Sequence, residues 1–237
     1  MNKVHATEAA VSPHDPTATF VYDELDDAKT HIRLLRIRHA EVGGAVECDL
    51  RPHLVEHCPS YTAVSYTWGD PGATTSISVN GLALHVRQNC AYVLCQAHRY
   101  GDGFYWVDAI CINQNSEAEK SDQVQMMGQI FRRAEAVLAC VGDYSGDSTF
   151  LCGKLRDHES TLLAVVDQLD SSNAAFWPRY RVPDSTLQQL LRLAKSIAWR
   201  LRFTLDTHRR IFAAVVAMLE RPYFQRVWVA QELFMAK

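Results

Sequence analysis

The order of apolar segments in the first two thirds of the chain most constrains its fold. Short β-rich runs at residues 61–66, 104–107 and 137–141 alternate with two amphipathic stretches of helical period. Short connections join these segments, and strands linked through helices in this way form parallel sheets covered by helices. The sequence therefore predicts an α/β fold with a mostly parallel sheet flanked by helices.

Two further β elements are expected beside this central pattern. Residues 31–38 alternate as a strand with one break, which indicates a bulge. Apolar residues also alternate on both sides of Asn80-Gly81, the pair typical of a type I′ hairpin turn. We therefore expect an N-terminal strand and a β-hairpin in addition to the parallel strands.

Side-chain chemistry predicts where the two helices of the central pattern begin. Asn89 is expected to cap the first, and Ser116 with Glu119 forms a capping box in front of the second. The expected buried face of the first helix is Cys90, Val93, Leu94 and Ala97. That of the second is Val124, Met127, Ile130, Phe131 and Ala134.

The last third of the chain has a different, mostly helical pattern. Amphipathic helices are predicted at residues 161–169, 187–201 and 211–219, and we interpret residues 145–220 as a helical insertion. A final helical segment, 223–236, runs to the end of the sequence, which suggests a fragment of a longer protein or a minimal domain. Residues 1–19 are mixed polar and are predicted to be a disordered tail, leaving one domain at 20–237.

Composition excludes several classes of protein. The net charge of −3 (24 basic and 27 acidic residues) gives no electrostatic footprint for nucleic acid. A run of about 18 apolar residues is also missing, so no membrane span is expected. Seven cysteines, most of them within apolar segments, fit buried thiols in a reducing compartment. A cytoplasmic location follows as the expectation.

Seven ordered segments of this sequence resemble the fungal heterokaryon incompatibility (HET) domain. They are IRLL (32–35), YTAVSYTWGD (61–70), Asn80-Gly81 with Asn89, WVDAICINQ (106–114), Glu119 with Gln123-Val124 and Met127, AEAVLACVG (134–142) and RVWVAQEL (226–233). The sequence departs from the family at Cys140, where a Trp is usual. The resemblance implies an effector domain in self/non-self recognition and programmed cell death.

The same segments resemble, more remotely, the Toll/interleukin-receptor (TIR) domain, whose fold is flavodoxin-like. YTAVSYTWGD is similar to the first TIR strand and its loop, and WVAQEL is similar to a TIR helix motif. This second similarity places Glu232 at the position of the TIR catalytic glutamate. It implies that NAD is a substrate whose nicotinamide–ribose bond is cleaved, and that no cofactor is required.

Glu232 is thus the predicted catalytic residue. Breaking an N-glycosidic bond creates an oxocarbenium-like ribose, which a nearby carboxylate stabilises. Trp228 lies one helical turn earlier and could stack on a base or a nicotinamide ring. The alternative is structural, with Glu232 paired to Arg226 and Trp228 filling the core.

Polar residues that follow the predicted strands are the candidates for binding a substrate, because ligands of open α/β sheets bind beyond the carboxyl ends of the strands. They are Trp68, Gly69, Asp70, Asp108, Asn113 and Gln114. The alternative is turn chemistry, since Asp and Asn satisfy loop backbone and Gly permits a positive φ.

Other chemistries find little support in the sequence. Cys111 has no histidine tied to it by spacing, so a buried thiol is favoured over a nucleophile. Cys48, His53, His57 and Cys58 match no familiar zinc spacing, and we predict no metal. Two functions besides NAD cleavage stay open. One is an interaction module that self-associates or binds a partner recognition domain, and the other is a different small-molecule enzyme.

Overall fold

The computed structural model describes residues 18–143, 145–159 and 205–226, together with Val229 and Glu232. The chain divides into two compact units. One comprises the residues up to Val141 and from Gln225 onward, and the other comprises Gly142–Phe224. The predicted helices at 161–169 and 187–201 lie outside the described residues. So does the predicted tail except Ala18 and Thr19, and Thr19 forms a bridge with Ala83.

The first unit contains a sheet of seven strands. In chain order they are β1 (His31–Ala40), β2 (Val46–Leu54), β3 (Tyr61–Tyr66), β4 (Thr74–Val79), β5 (Leu82–Arg87), β6 (Phe104–Trp106) and β7 (Ala136–Cys140). Their spatial order is β5-β4-β2-β1-β6-β3-β7. β3 runs parallel to β6 and β7, and β2 runs parallel to β4, while the other three pairings are antiparallel. The predicted α/β class is confirmed, and the sheet is mixed.

Helices flank this sheet, and the sequence predicts them in this order except for the short helix at Asp108–Cys111. They are α1 (Gln88–Tyr100), α2 (Asp108–Cys111) and α3 (Glu117–Arg133), with a 3₁₀ turn at Val55–His57. The described helices of the second unit are α4 (Gly146–Asp157) and α5 (Leu205–Leu219), followed by a 3₁₀ turn at Pro222–Gln225. Among the described residues, none of these helices combines the length and the apolar character that crossing a membrane requires.

Local turn chemistry sets the hairpin β4–β5 as the sequence predicts. Asn80 and Gly81 have φ values of 52° and 81°, which is the type I′ conformation. The Asn80 side chain also accepts a hydrogen bond from the Leu50 N–H (2.8 Å) and donates one to the Leu50 carbonyl (3.1 Å). The Asn80 side chain thereby connects the hairpin to β2 at Leu50. This contact lies beyond Cys48, the last residue of β2 that pairs with β4. β1 does contain an irregularity, but its register shift lies between Ile37 and His39, and pairing with β2 is continuous across the break in alternation at Leu34 and Leu35.

The strand β2 is absent from the sequence-based prediction. Val46, Cys48 and Leu50 are buried and alternate with more exposed residues, which is the pattern of a half-buried strand. The Cys48 thiol donates to the Ser78 carbonyl at 3.5 Å, as expected of a small buried residue. Over the described residues, no group of three or more His, Cys, Asp or Glu is arranged to hold a metal ion.

The start of α1 differs from the prediction. Arg87 occupies the capping position without a side-chain hydrogen bond, and Asn89 lies inside the helix. The Asn89 amide instead donates to the Thr67 carbonyl in the loop after β3. The predicted apolar face is correct, since Cys90, Val93, Leu94 and Ala97 are all buried.

The buried face of α3 is rotated relative to the predicted one. Val124 was expected in the core and is 39% exposed, whereas Glu119, Gln123 and Met126 are buried. The reason is that two polar side chains of α3 have partners inside the unit. Gln123 donates to the Ala28 and His31 carbonyls at 2.6 and 2.8 Å.

The Ser116 hydroxyl accepts from the Glu119 N–H at 3.4 Å, so this half of the capping box is confirmed.

A buried ion pair joins β1 to α3. The Arg33 guanidinium donates to both carboxylate oxygens of Glu119, at 2.6 and 3.1 Å, and the two side chains are 4% and 9% exposed. Arg33 also donates to the Asp23 and Cys111 carbonyls. Glu119 in turn accepts from the Asn113 N–H at 2.7 Å. One charged pair thus joins residues 23–33 to residues 111–119.

Candidate functional site

The loops that follow β3 and β6 lie at the same edge of the sheet. The two strands are parallel neighbours, with Tyr61 opposite Phe104 and Ala63 opposite Trp106. The chain therefore leaves β3 towards Trp68 and leaves β6 towards Asp108 on the same side. This is the edge at which ligands of open α/β sheets bind.

A cleft of about 480 Å³ opens at this edge. Trp68, Gly69 and Asp108, all predicted from the sequence, are among its described lining residues. The others are Thr67, Val124, Met127 and Arg226. The lining therefore offers an indole, a carboxyl group, a guanidinium group and two apolar side chains. A larger open hollow of about 690 Å³ lies over β2, β4 and β5, and none of the predicted site residues is among its described lining.

The junction of β5 and α1 holds the loop after β3 in place. Arg87 donates to the Gly69 carbonyl at 2.9 Å, and its guanidinium lies 5.1 Å from the centre of the Trp68 ring. The Asn89 amide donates to the Thr67 carbonyl. Gly69 itself has a φ of 76°, in the left-handed region that favours glycine. The position of the Trp68 indole thus depends on the strand–helix junction behind it.

Replacing Gly69 with alanine is expected to lower the free energy of unfolding by about 1–2 kcal/mol, because a side chain at positive φ is strained. The added Cβ would also lie 3.0 Å from the Asn89 Cβ. Urea unfolding of both proteins measures the difference. Gly103→Ala is the matched control, since a Cβ there meets nothing within 4 Å. Equal losses in the two variants would contradict this account of the loop.

Two hydrogen-bond donors fix the side chain of Asp108, the first residue of α2. Its Oδ2 accepts from the Trp68 indole N–H at 2.8 Å, and its Oδ1 accepts from the Ala109 N–H at 2.7 Å. Burial raises the pKa of the Asp108 carboxyl to about 6. Both hydrogen bonds and the Arg226 charge act in the opposite direction, and the Glu232 charge raises the pKa further. Asp108 is therefore a cleft carboxyl group that changes protonation near neutral pH.

Glu232 is buried next to the cleft, with an exposed fraction of 3%. Arg226 Nη2 lies 3.1 Å from Glu232 Oε1, and Nη1 lies 3.5 Å from Oε2. The Ser65 hydroxyl, on β3, also donates to Oε2. The Arg226 side chain is 19% exposed and lines the cleft, whereas the Glu232 side chain is 3% exposed and is not among the described lining residues. This is the pairing that the sequence offered as the structural alternative, and a catalytic role for Glu232 stays a prediction.

The other predicted site residues either form hydrogen bonds within turns or lie outside the described part of the chain. The Asp70 carboxylate accepts from the Gly72 N–H at 2.8 Å, and the Asn113 side chain accepts from the Asn115 N–H at 3.1 Å. Gln114 donates to the Asp108 carbonyl at 2.9 Å. These are the contacts of turn chemistry, and substrate binding by these three residues stays a prediction. Trp228 lies outside the described residues.

Several residues of the site were not proposed from the sequence as site residues, and Thr67, which lines the cleft, is one of them. Ser65 and Arg226 contact Glu232, and Val124 and Met127 form the apolar wall of the cleft. Ser65 is a fully buried polar residue near the end of a mostly apolar strand, and that contrast was the available signal. Cys111 is buried, and burial raises the pKa of its thiol well above the usual value, in line with the structural interpretation.

The sequence matches the family model described as "Heterokaryon incompatibility protein (HET)" over residues 61–232. The chain belongs to the HET family. It is similar to heterokaryon incompatibility protein 6, OR allele, of Neurospora crassa, with 27% identity over 235 residues. The alignment covers 90% of this chain and 33% of that protein, so this HET chain spans about a third of its relative's length. No solved structure matches it.

Proposed function

We propose that this HET chain is an effector domain of fungal heterokaryon incompatibility that works in the cytoplasm by cleaving the nicotinamide–ribose bond of NAD. Membership of the HET family and similarity to an incompatibility protein of Neurospora crassa support the biological role. The observation that carries the chemical part is a buried carboxylate–guanidinium pair, Glu232 with Arg226, at a cleft on the ligand-binding edge of the sheet.

The cleft has groups that suit the parts of a dinucleotide. Among the described lining residues of the cleft, Arg226 carries the positive charge, and guanidinium groups bind phosphate oxygens in a bidentate manner. Val124 and Met127 supply an apolar wall against which a flat ring can pack. The cleft volume of about 480 Å³ is within the usual range for small-molecule sites.

Binding of phosphate is the step that would free Glu232. Its two contacts with Arg226 measure 3.1 and 3.5 Å, compared with 2.6 and 3.1 Å in the buried Arg33–Glu119 pair. A phosphate that engages Arg226 therefore competes with Glu232 for the guanidinium. The released carboxylate, still held by Ser65, then stabilises the oxocarbenium-like ribose as nicotinamide leaves. Nicotinamide in NAD is already cationic, so its departure needs no general acid.

The test is release of nicotinamide from NAD by the purified chain, at high protein concentration and with a crowding agent to promote assembly. Glu232→Gln is expected to lower the rate by about 100-fold or more, as for removal of an electrostatic stabiliser. Circular dichroism of the variant checks that it is folded.

Glu135→Gln is the matched control for this experiment. Glu135 also accepts a hydrogen bond from a serine, Ser60, but the pair is exposed. This variant is expected to keep the activity of the parent chain. Nicotinamide release that survives Glu232→Gln would overturn the catalytic assignment. A folded, oligomeric protein without activity would favour the interaction module, which acts through self-association or a partner domain.

A further inference from the structure

We propose that the same cleft also hydrolyses N-glycosides whose leaving base is uncharged, and that Asp108 is the general acid that protonates this base. The inference rests on the proposed function, because it assumes that the cleft binds nucleotides. It extends that function to a second class of substrate, the purine nucleotides.

The carboxyl group of Asp108, which lines the cleft, has no role in the proposed cleavage of NAD. Glu232 is committed to an ion pair and to Ser65, whereas the Asp108 carboxyl accepts from two neutral donors and interacts with the neutral Tyr66 hydroxyl. Each Asp108 oxygen accepts one hydrogen bond and keeps a further lone pair, so the group can also carry a proton. The Trp68 indole and the Ala109 N–H fix its direction, and it lines the cleft. Two carboxyl groups in contrasting environments are the arrangement of an acid and a charge stabiliser.

The groups that interact electrostatically with the Asp108 carboxyl, whose pKa burial raises to about 6, come from several elements. Tyr66 on β3, Cys90 on α1 and Cys111 on α2 interact with it electrostatically. Burial raises the pKa of the Cys90 thiol to about 12 and the pKa values of Tyr66 and Cys111 well above their usual range, so all three stay neutral. Arg226 and Glu232, also electrostatic neighbours of Asp108, are paired with each other.

The reaction balances without an added reagent. The bond between C1′ of the ribose and the base nitrogen breaks, and its electron pair goes to the base. Protonated Asp108 gives its proton to a ring nitrogen of the base, which leaves neutral. Water then adds to C1′ of the oxocarbenium-like ribose, and its proton returns to Asp108. The products are the free base and the ribose phosphate with a hydroxyl group at C1′.

The experiment compares two substrates, NAD and adenosine 5′-monophosphate, in the parent chain and in Asp108→Asn. General acids contribute typically 10²–10⁴-fold, so release of adenine is expected to fall by about 100-fold or more in the variant. Release of nicotinamide, which needs no general acid, is expected to fall much less, so the ratio of adenine to nicotinamide release should drop by about tenfold or more. In the parent chain, adenine release should also decline about tenfold per pH unit above pH 6, and nicotinamide release should not, because a raised carboxyl pKa of about 6 supplies the acid only below that pH.

Two further variants keep the test decisive if Asp108→Asn changes the loop. Asp108→Glu retains the acid and should recover part of the adenine release. Asp102→Asn is the matched control, because Asp102 is exposed and lies in the turn before β6, at the opposite end of that strand. Nicotinamide release without adenine release from the parent chain would overturn this inference and leave the proposed function standing. Equal losses of both products in Asp108→Asn would show that Asp108 only positions Trp68. The absence of both activities would contradict the proposed function itself.

Discussion

Replacing Arg33 with methionine is expected to lower the free energy of unfolding by about 3–5 kcal/mol, the cost of leaving a buried charge without its partner. Glu119 would remain 9% exposed with the Asn113 N–H and no guanidinium beside it. The Asp23 and Cys111 carbonyls would also lose a donor. Urea unfolding monitored by tryptophan fluorescence gives the difference between the two proteins.

Arg38→Met on the same strand is the control for this prediction. Arg38 pairs with Asp49, but these side chains are 57% and 33% exposed, and exposed pairs contribute about 1 kcal/mol or less. The double variant Arg33→Met with Glu119→Gln removes both charges and is expected to be more stable than Arg33→Met alone. A similar loss in the Arg33 and Arg38 variants would show that the buried pair does not act as described.

Arg226→Met is expected to cost about 3 kcal/mol, the lower end of the range for a broken buried pair, because the cleft lets water approach the site. The variant leaves Glu232, which is 3% exposed, with Ser65 as its remaining described partner. Its instability should therefore depend on the charge of Glu232. Urea unfolding at pH 7 measures the loss.

The double variant Arg226→Met with Glu232→Gln separates the lost charge pair from lost packing. It is expected to recover part of the stability, since an amide is cheaper to bury than an unpaired carboxylate. Arg87→Met is the control beside the same cleft, because the described partners of Arg87 are a carbonyl and the Trp68 ring. No recovery in the double variant would mean that Arg226 stabilises the chain through packing of its stem.

The elements that the sequence predicts well are those specified by neighbouring residues. Asn80-Gly81 sets its own turn conformation, and the apolar run of β3 is readable without knowing its partners. The sequence does not predict β2, because Pro52 interrupts its alternating pattern and because Cys48 and His53 are residue types that also bind metal ions. Pro52 is tolerated because it lies beyond the part of β2 that pairs with β4.

The site was predictable only where it follows from strand order. Trp68 and Asp108 come directly after parallel strands, so their proximity could be expected, and they share a hydrogen bond. The Arg226–Glu232 pair spans six residues, and the sequence offered it as an alternative. Ser65 is separated from Glu232 by 167 residues, and no local pattern links them. The rotation of α3 that exposes Val124 follows from the buried polar contacts of Gln123. The periodicity of apolar residues does not predict such contacts.

The position of β1 has a consequence for where this domain can be divided. The match to the family model begins at residue 61, yet β1 and β2 precede that point and lie in the middle of the sheet. A fragment excised at residue 61 would strip β6 of its antiparallel neighbour and detach the β4–β5 hairpin from its described strand partner, β2. It would also remove the counter-ion of Glu119. The stretch that identifies the family is thus shorter than the stretch that must be expressed for the domain to fold.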